Sequence, residues 1–230
     1  MITLTEVSKK YGQTHAVEDV TFTAQKGEII GFLGPNGAGK TTTMKLILGL
    51  IRPSTGQVKV NKLDPLTNRM DILPNVGYLP ENNPLYGDMK VNEYLAFIAE
   101  VKGVTNQKKV EEVITNVDIT EKATAKIDEL SRGYKQRVGL AASLIGDPHI
   151  LILDEPTSGL DPIEQEKIKN LIKKSAKNKI IIFSTHILSE VEDIATRLVI
   201  ISKGEVVYDG DKPKRTGGVE KLFKKLVTKD

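Results

Sequence analysis

The stretch Gly34-Pro35-Asn36-Gly37-Ala38-Gly39-Lys40-Thr41-Thr42 constrains this chain more than any other. It lies between an apolar run, Ile29-Ile30-Gly31-Phe32-Leu33, and an apolar helical pattern from Met44 to Ile51. A strand, a turn of the form G-x-x-x-x-G-K-[ST] and a helix are the parts of a phosphate-binding loop. Glycines let the backbone wrap until successive N–H groups converge on an anion, and the helix N-terminus adds positive potential. Asn36, Gly37, Ala38, Gly39, Lys40, Thr41 and Thr42 are the expected contacts to a nucleoside triphosphate. Lys40 is placed to reach the β- and γ-phosphates, and the Thr41 hydroxyl to ligate Mg²⁺.

The 230 residues suffice for one α/β domain, or for a domain with a small appendage. A net charge of +3 is too small to argue for nucleic acid or an anionic membrane. The chain has no cysteine, so disulfides and thiolate metal sites are excluded. No apolar run is long enough to span a bilayer and the N-terminus carries no signal-peptide pattern. The expected location is the cytoplasm, with any place at a membrane depending on another chain.

Ile2 and Leu4 alternate with Thr3 and Thr5, and strand-like runs recur at Ala16 to Thr23 and at Val58 and Val60. Asn61-Lys62-Leu63-Asp64 matches the guanine-reading N-K-x-D of GTPases. It falls just past the phosphate-loop helix and directly before Pro65, where turn residues explain it better. Val76 to Leu79 reads as a strand ending at Pro80-Glu81. From Val91 to about Glu129 the periodicity is helical, with stripes through Val91, Leu95, Ile98 and Val101 and through Val110, Val113, Ile114 and Val117. Ser131 is the expected cap of the next helix. The lysine-rich tail hides a stripe of Val219, Leu222, Phe223, Leu226 and Val227, as a helix packed on the body requires. The expected fold is therefore α/β. It has a P-loop core with a mostly parallel sheet, an N-terminal antiparallel β subdomain and an inserted helical subdomain. The core takes residues 1–88 and 131–230, and the helical subdomain about 89–145.

Ile150-Leu151-Ile152-Leu153 has the pattern of a strand buried on both faces and ends in Asp154-Glu155-Pro156. The two carboxylates suit different tasks: Asp154 to hold Mg²⁺ and Glu155 to polarise an attacking water. A second buried run, Ile180 to Phe183, leads to Ser184-Thr185-His186. Phosphate loop and carboxylate pair together specify nucleotide hydrolysis.

Leu130-Ser131-Arg132-Gly133-Tyr134-Lys135-Gln136-Arg137 resembles the signature of ATP-binding-cassette (ABC) transporters, usually L-S-G-G-Q. Ser158-Gly159-Leu160-Asp161 resembles their D-loop, and His186 their switch histidine. The likeness runs from about Tyr11 to Gly210 with all motifs in order. It implies ATP and Mg²⁺ as ligands, Tyr11 stacked on adenine, and two copies (or a copy and a homologous ATPase subunit) facing head to tail. In that arrangement Ser131, Arg132, Gly133 and Gln136 act on the partner's ATP, Asp161 couples the two sites, and His186, Lys40 and Glu155 serve catalysis. Two positions depart from the family. Arg132 stands where glycine is usual, with the glutamine displaced to Gln136, and Glu81 stands where the metal-ligating Q-loop glutamine is usual. The run Tyr78 to Tyr86 is similar to that of drug, sodium and gliding-motility exporters. The resemblance thus implies an exporter ATPase bound to separate membrane permease subunits on the inner face of the membrane, with no nucleic acid. The alternative is a soluble ABC ATPase of cofactor assembly or of another non-transport role.

Overall fold

The computed structural model describes residues Met1–Val227. In chain order the elements are β1 (Ile2–Tyr11), β2 (Thr14–Ala24), β3 (Ile29–Leu33), α1 (Lys40–Ile47), β4 (Thr55–Val60), α2 (Arg69–Ile72), β5 (Val76–Leu79), α3 (Val91–Val101) and α4 (Gln107–Asn116). They continue as α5 (Arg132–Leu144), β6 (Ile150–Asp154), α6 (Pro162–Ser175), β7 (Ile180–Thr185), α7 (Leu188–Ile194), β8 (Arg197–Ser202), β9 (Glu205–Asp211) and α8 (Gly218–Val227). Two units result: residues 1–72 with 176–230 (of which 228–230 lie outside the described residues), and residues 73–175.

The first unit holds two sheets. In the antiparallel one, ordered β2-β1-β4, Ile2 faces Ala24 and Val60, and Leu4 faces Phe22 and Val58. All six side chains are buried, which is why the period-two pattern at the N-terminus forms a sheet with one covered face. Strand β4 is followed by Asn61 and Lys62, both at positive φ (51° and 70°), between the paired residues Val60 and Leu63. That is the geometry of a two-residue primed hairpin turn. Asn61 Oδ1 accepts a hydrogen bond from the N-terminal ammonium at 3.0 Å. The guanine-reading look of Asn61-Lys62-Leu63-Asp64 is thus turn chemistry.

In the second sheet of this unit, β3 lies between β7 and β8 and is parallel to both, while β9 returns antiparallel along β8. Every residue of β3 and β7 is buried, as strands covered on both faces must be. Burying each Ile or Leu of these runs contributes about 1.5–3 kcal/mol, so strand order is strongly specified. The tail forms helix α8, which packs on α7. Val219 is its one buried residue, and Glu192 of α7 accepts from the Lys212 ammonium at its carbonyl and from Val219 N at its carboxylate.

In the second unit β5 runs parallel to β6, with Val76 opposite Ile150 and Leu79 opposite Leu153. Helix α5 packs against β5 and against α3 and α4. Its Ser143 carbonyl occupies the space where a side chain on Gly77 would start, so the glycine sets how closely helix meets strand.

Candidate functional site

The phosphate loop leaves the buried end of β3 and turns into α1. Gly39, at the N-cap of α1, has φ +106°, and a Cβ there would overlap the Ala16 carbonyl. Only glycine fits both the angle and the space. Lys40 is buried, and its ammonium donates to the carbonyls of Gly34 (2.8 Å) and Pro35 (3.2 Å). The cation is thus already folded into the loop it serves, while Pro35, Asn36 and Gly37 remain exposed. Thr41 and Thr42 are half-buried in the first turn of α1. Tyr11 closes β1 with 50% of its surface exposed and the Lys9 ammonium 5.1 Å from its ring centroid.

His186 follows β7 and is exposed, but the residues around it are fixed. Thr185 is buried; its hydroxyl donates to Glu190 Oε2 at 2.5 Å and accepts from Ile187 N at 2.9 Å. The histidine is bracketed on both sides. Glu190 was not among the residues expected from sequence. The spacing S-T-H-x-x-x-E was the available signal, and the burial of its glutamate is visible only in the fold.

The carboxylate pair lies in the second unit. Asp154 ends β6 at 1% exposure, and Glu155 is 7% exposed at φ +48°, a region that residues with side chains seldom occupy. Backbone strain of this kind costs about 1–3 kcal/mol and gathers at functional sites. Near Asp154, Tyr78 has its phenol pKa pushed up to about 12, first by burial and then by the negative charges of Asp154 and Glu81. Both carboxylates thus lie near enough to the Tyr78 phenol to act on it. Among the described residues no three His, Cys, Asp or Glu side chains gather as a metal site by themselves. A Mg²⁺ ion there would need oxygens from phosphate and hydroxyl as well.

The Glu81 side chain is exposed at the start of a loop that Asn83 ties to α5. Asn83 Nδ2 donates to the Lys135 carbonyl at 2.8 Å, and a Cβ on Gly139 would overlap the Asn83 amide. Ser131 caps α5, its Oγ accepting from Tyr134 N at 3.4 Å, and is exposed with Arg132 at the helix N-terminus. Gly133 is buried; a Cβ there would sit 2.6 Å from Glu164 Oε2. Gln136 points inward, its amide donating to the Pro156 carbonyl at 2.7 Å. Arg137, 1% exposed, donates to Asp118 and lies 3.5 Å from Glu164 Oε2. Asp161 Oδ1 accepts from Ile163 N and Glu164 N, both at 3.0 Å, as the cap of α6. Arg137, Asn83 and Glu164 were not expected as site-forming residues; their roles depend on pairs far apart in sequence.

Residues 17–158 match the family model described as ABC transporter. The chain belongs to the ABC transporter family. Its ATPase domain is 37% identical over 211 residues to the bacitracin transport ATP-binding protein BcrA of Bacillus licheniformis, covering 91% of this chain and 69% of that one. The Nod factor export ATP-binding protein I of Burkholderia lata is 37% identical over 212 residues, covering 89% and 68%. Among solved structures, an ATP-binding subunit of an ABC transporter superposes with a TM-score of 0.86 at 28% identity, covering 98% of this chain and 99% of that one. A dimeric bacterial ABC transporter cassette gives 0.84 at 25% identity, covering 94% and 100%. The same cassette in a dimeric post-hydrolysis state with ADP and Pi gives 0.83. The ABC ATPase is thus an α/β protein with a mostly parallel sheet and a separate antiparallel one, and it binds and hydrolyses ATP. No described helix is long and apolar enough to cross a membrane.

Proposed function

We propose that this ABC ATPase works as a head-to-tail pair of copies around two Mg²⁺–ATP and drives export through separate membrane subunits. It would lie against the inner face of the membrane. The observation that carries this is the N-terminus of α5, where Ser131 and Arg132 are exposed and the helix offers its N–H groups and positive dipole end outward. A second copy's γ-phosphate is the anion that such an end suits. The dimeric cassettes of similar fold and the transport and export relatives support the same reading.

Within it, Tyr11 stacks on adenine, and Asn36, Gly37, Ala38, Gly39, Lys40, Thr41 and Thr42 take the phosphates. Thr41, Asp154 and Glu81 would hold Mg²⁺, which would screen phosphate charge. Glu155 orients and deprotonates the attacking water, and His186 donates a hydrogen bond to the γ-phosphate as charge develops. Ser131 and Gly133 meet the partner's nucleotide with Arg132 beside them, Gln136 supports them from inside, and Asp161 joins the two sites. Residues 1–88 and 131–230 would act as the catalytic core and about 89–145 as the helical subdomain. On the second unit, Tyr86 (59% exposed) packs edge-on against Phe97 (41% exposed), with Val101 (69% exposed) further along α3. That apolar patch beside the Glu81 loop suits a cytosolic helix of a membrane subunit.

The deciding experiment is Glu155→Gln. With ATP it should elute as a dimer on size-exclusion chromatography and turn over at least about a hundredfold more slowly, the usual contribution of a general base. A variant that hydrolyses at the wild-type rate, or stays monomeric with ATP, would sink the reading.

A further inference from the structure

The least usual residue of the signature is Arg132, and its guanidinium turns toward its own chain. Nη2 donates to the Ser158 carbonyl at 2.8 Å. The guanidinium lies over Gly159, so closely that a Cβ at that position (φ +68°) would overlap its carbon and both terminal nitrogens. Ser158 is in turn joined to the catalytic turn, because its N–H donates to the Glu155 carbonyl at 3.1 Å. The next link, Leu160 N to the Thr157 carbonyl at 3.2 Å, closes a second turn, and Asp161 anchors the far end by capping α6. This charged hydrogen bond joins the helix end that carries Ser131 and Gly133 to the short loop that begins at Glu155, beside the neutral one from the Gln136 amide to the Pro156 carbonyl. All of these residues belong to one unit.

We infer that Arg132 is a positioning residue that yokes the signature turn to the loop of Glu155, so that engagement of the signature reaches the chain's own hydrolytic carboxylate through Ser158. The functional half of this inference rests on the head-to-tail reading above. A glycine at 132 has no side chain with which to make the link. Lysine could make one such bond but lacks the flat fork that covers Gly159. A hydrogen bond with a charged donor is among the stronger ones, yet this one is exposed, so its role is to order the loop and not to hold the fold.

The first test uses the nucleotide-free protein and does not depend on dimerisation. Hydrogen exchange of the Ser158 and Leu160 amides should quicken about tenfold in Arg132→Gly, as expected when a bond of this strength is lost. The melting temperature should hardly move, and Arg132→Lys should fall between the two. Unchanged exchange would overturn the inference.

The second test separates positioning from a direct grip on the partner's phosphate. Arg132→Gly should lower kcat several-fold with KM for ATP near wild type. In a Glu155→Gln background it should leave ATP-driven dimerisation intact. Weakened dimerisation with normal loop exchange would make Arg132 a phosphate ligand and defeat the proposal. Should Glu155→Gln alone fail to dimerise, the head-to-tail reading falls, and the exchange measurement still judges the Arg132–Ser158 link.

Discussion

Thr185 donates its hydroxyl to the buried carboxylate of Glu190 while accepting from the amide of Ile187, so one side chain fixes the backbone on both sides of His186. Both Thr185 and Glu190 are almost fully shielded from solvent. In such surroundings a bond to a charged group is strong, and withdrawing its donor is costly.

Thr185→Val keeps the shape and removes the hydroxyl. It should destabilise the protein by about 1–3 kcal/mol in urea unfolding, the cost of depriving a buried carboxylate of one donor. On the role proposed for His186, it should also lower kcat about tenfold with little change in KM for ATP, because the histidine would act as charge develops on the phosphate. Thr185→Ser should restore most of the loss. A wild-type kcat in Thr185→Val would show that His186 is held by other means.

Gly139 and Asn83 make a second pair of this kind. Gly139→Ala would push its methyl into the Asn83 amide, and Asn83 cannot withdraw without losing its bond to the Lys135 carbonyl. Overpacking of this sort costs about 1–3 kcal/mol. Adding Asn83→Ala should recover part of that, because the obstacle goes with it. Strictly additive losses in denaturant melts would mean that the two residues do not interact.

Lys102 supplies a pH-dependent term. Its ammonium donates to the carbonyls of Ala142 and Ile145 at the end of α5, yet burial pulls its pKa down from 10.5 to about 8. Below pH 8 both folded and unfolded chains carry the proton, and the cost of burying the charge is fully present. Between pH 8 and 10.5 the folded chain sheds the proton first while the unfolded chain keeps it, so rising pH relieves that cost. Relative to Lys102→Met, the wild type should gain about 2–3 kcal/mol between pH 7 and 10, at about 1.4 kcal/mol per pKa unit. Paired urea titrations at the two pH values measure the difference. A difference that stays constant, or shrinks for the wild type, would refute it.

Much of the framework was legible because its signals are local. The phosphate loop states its strand, turn and helix within one short stretch. The four-residue apolar run Ile150 to Leu153 admits little but a covered strand, and Ser131 announces the start of α5. The positive φ angles at Asn61 and Lys62 show why a four-residue match to another family's motif carried no weight once its place in the hairpin was considered. What escaped was non-local. Asn83 and Lys135 lie 52 positions apart, and Arg132 and Ser158 lie 26 apart. Each of those bonds exists only because β5, β6 and α5 pack in one arrangement, which no periodicity records. Glu190 escaped for another reason: an acidic residue in an amphipathic helix ordinarily faces water, and burial reverses its meaning.

The left-handed backbone at Glu155 has a consequence for how this enzyme can change. Asparagine or glycine would sit there with less strain than glutamate. On the role proposed for Glu155, heat resistance and turnover pull this one position in opposite directions. On that reading, laboratory evolution that rewards only survival at high temperature has a downhill step here, toward a sturdier protein without its general base. Selection for thermostable variants of this ATPase has to hold position 155 fixed or demand activity at every round.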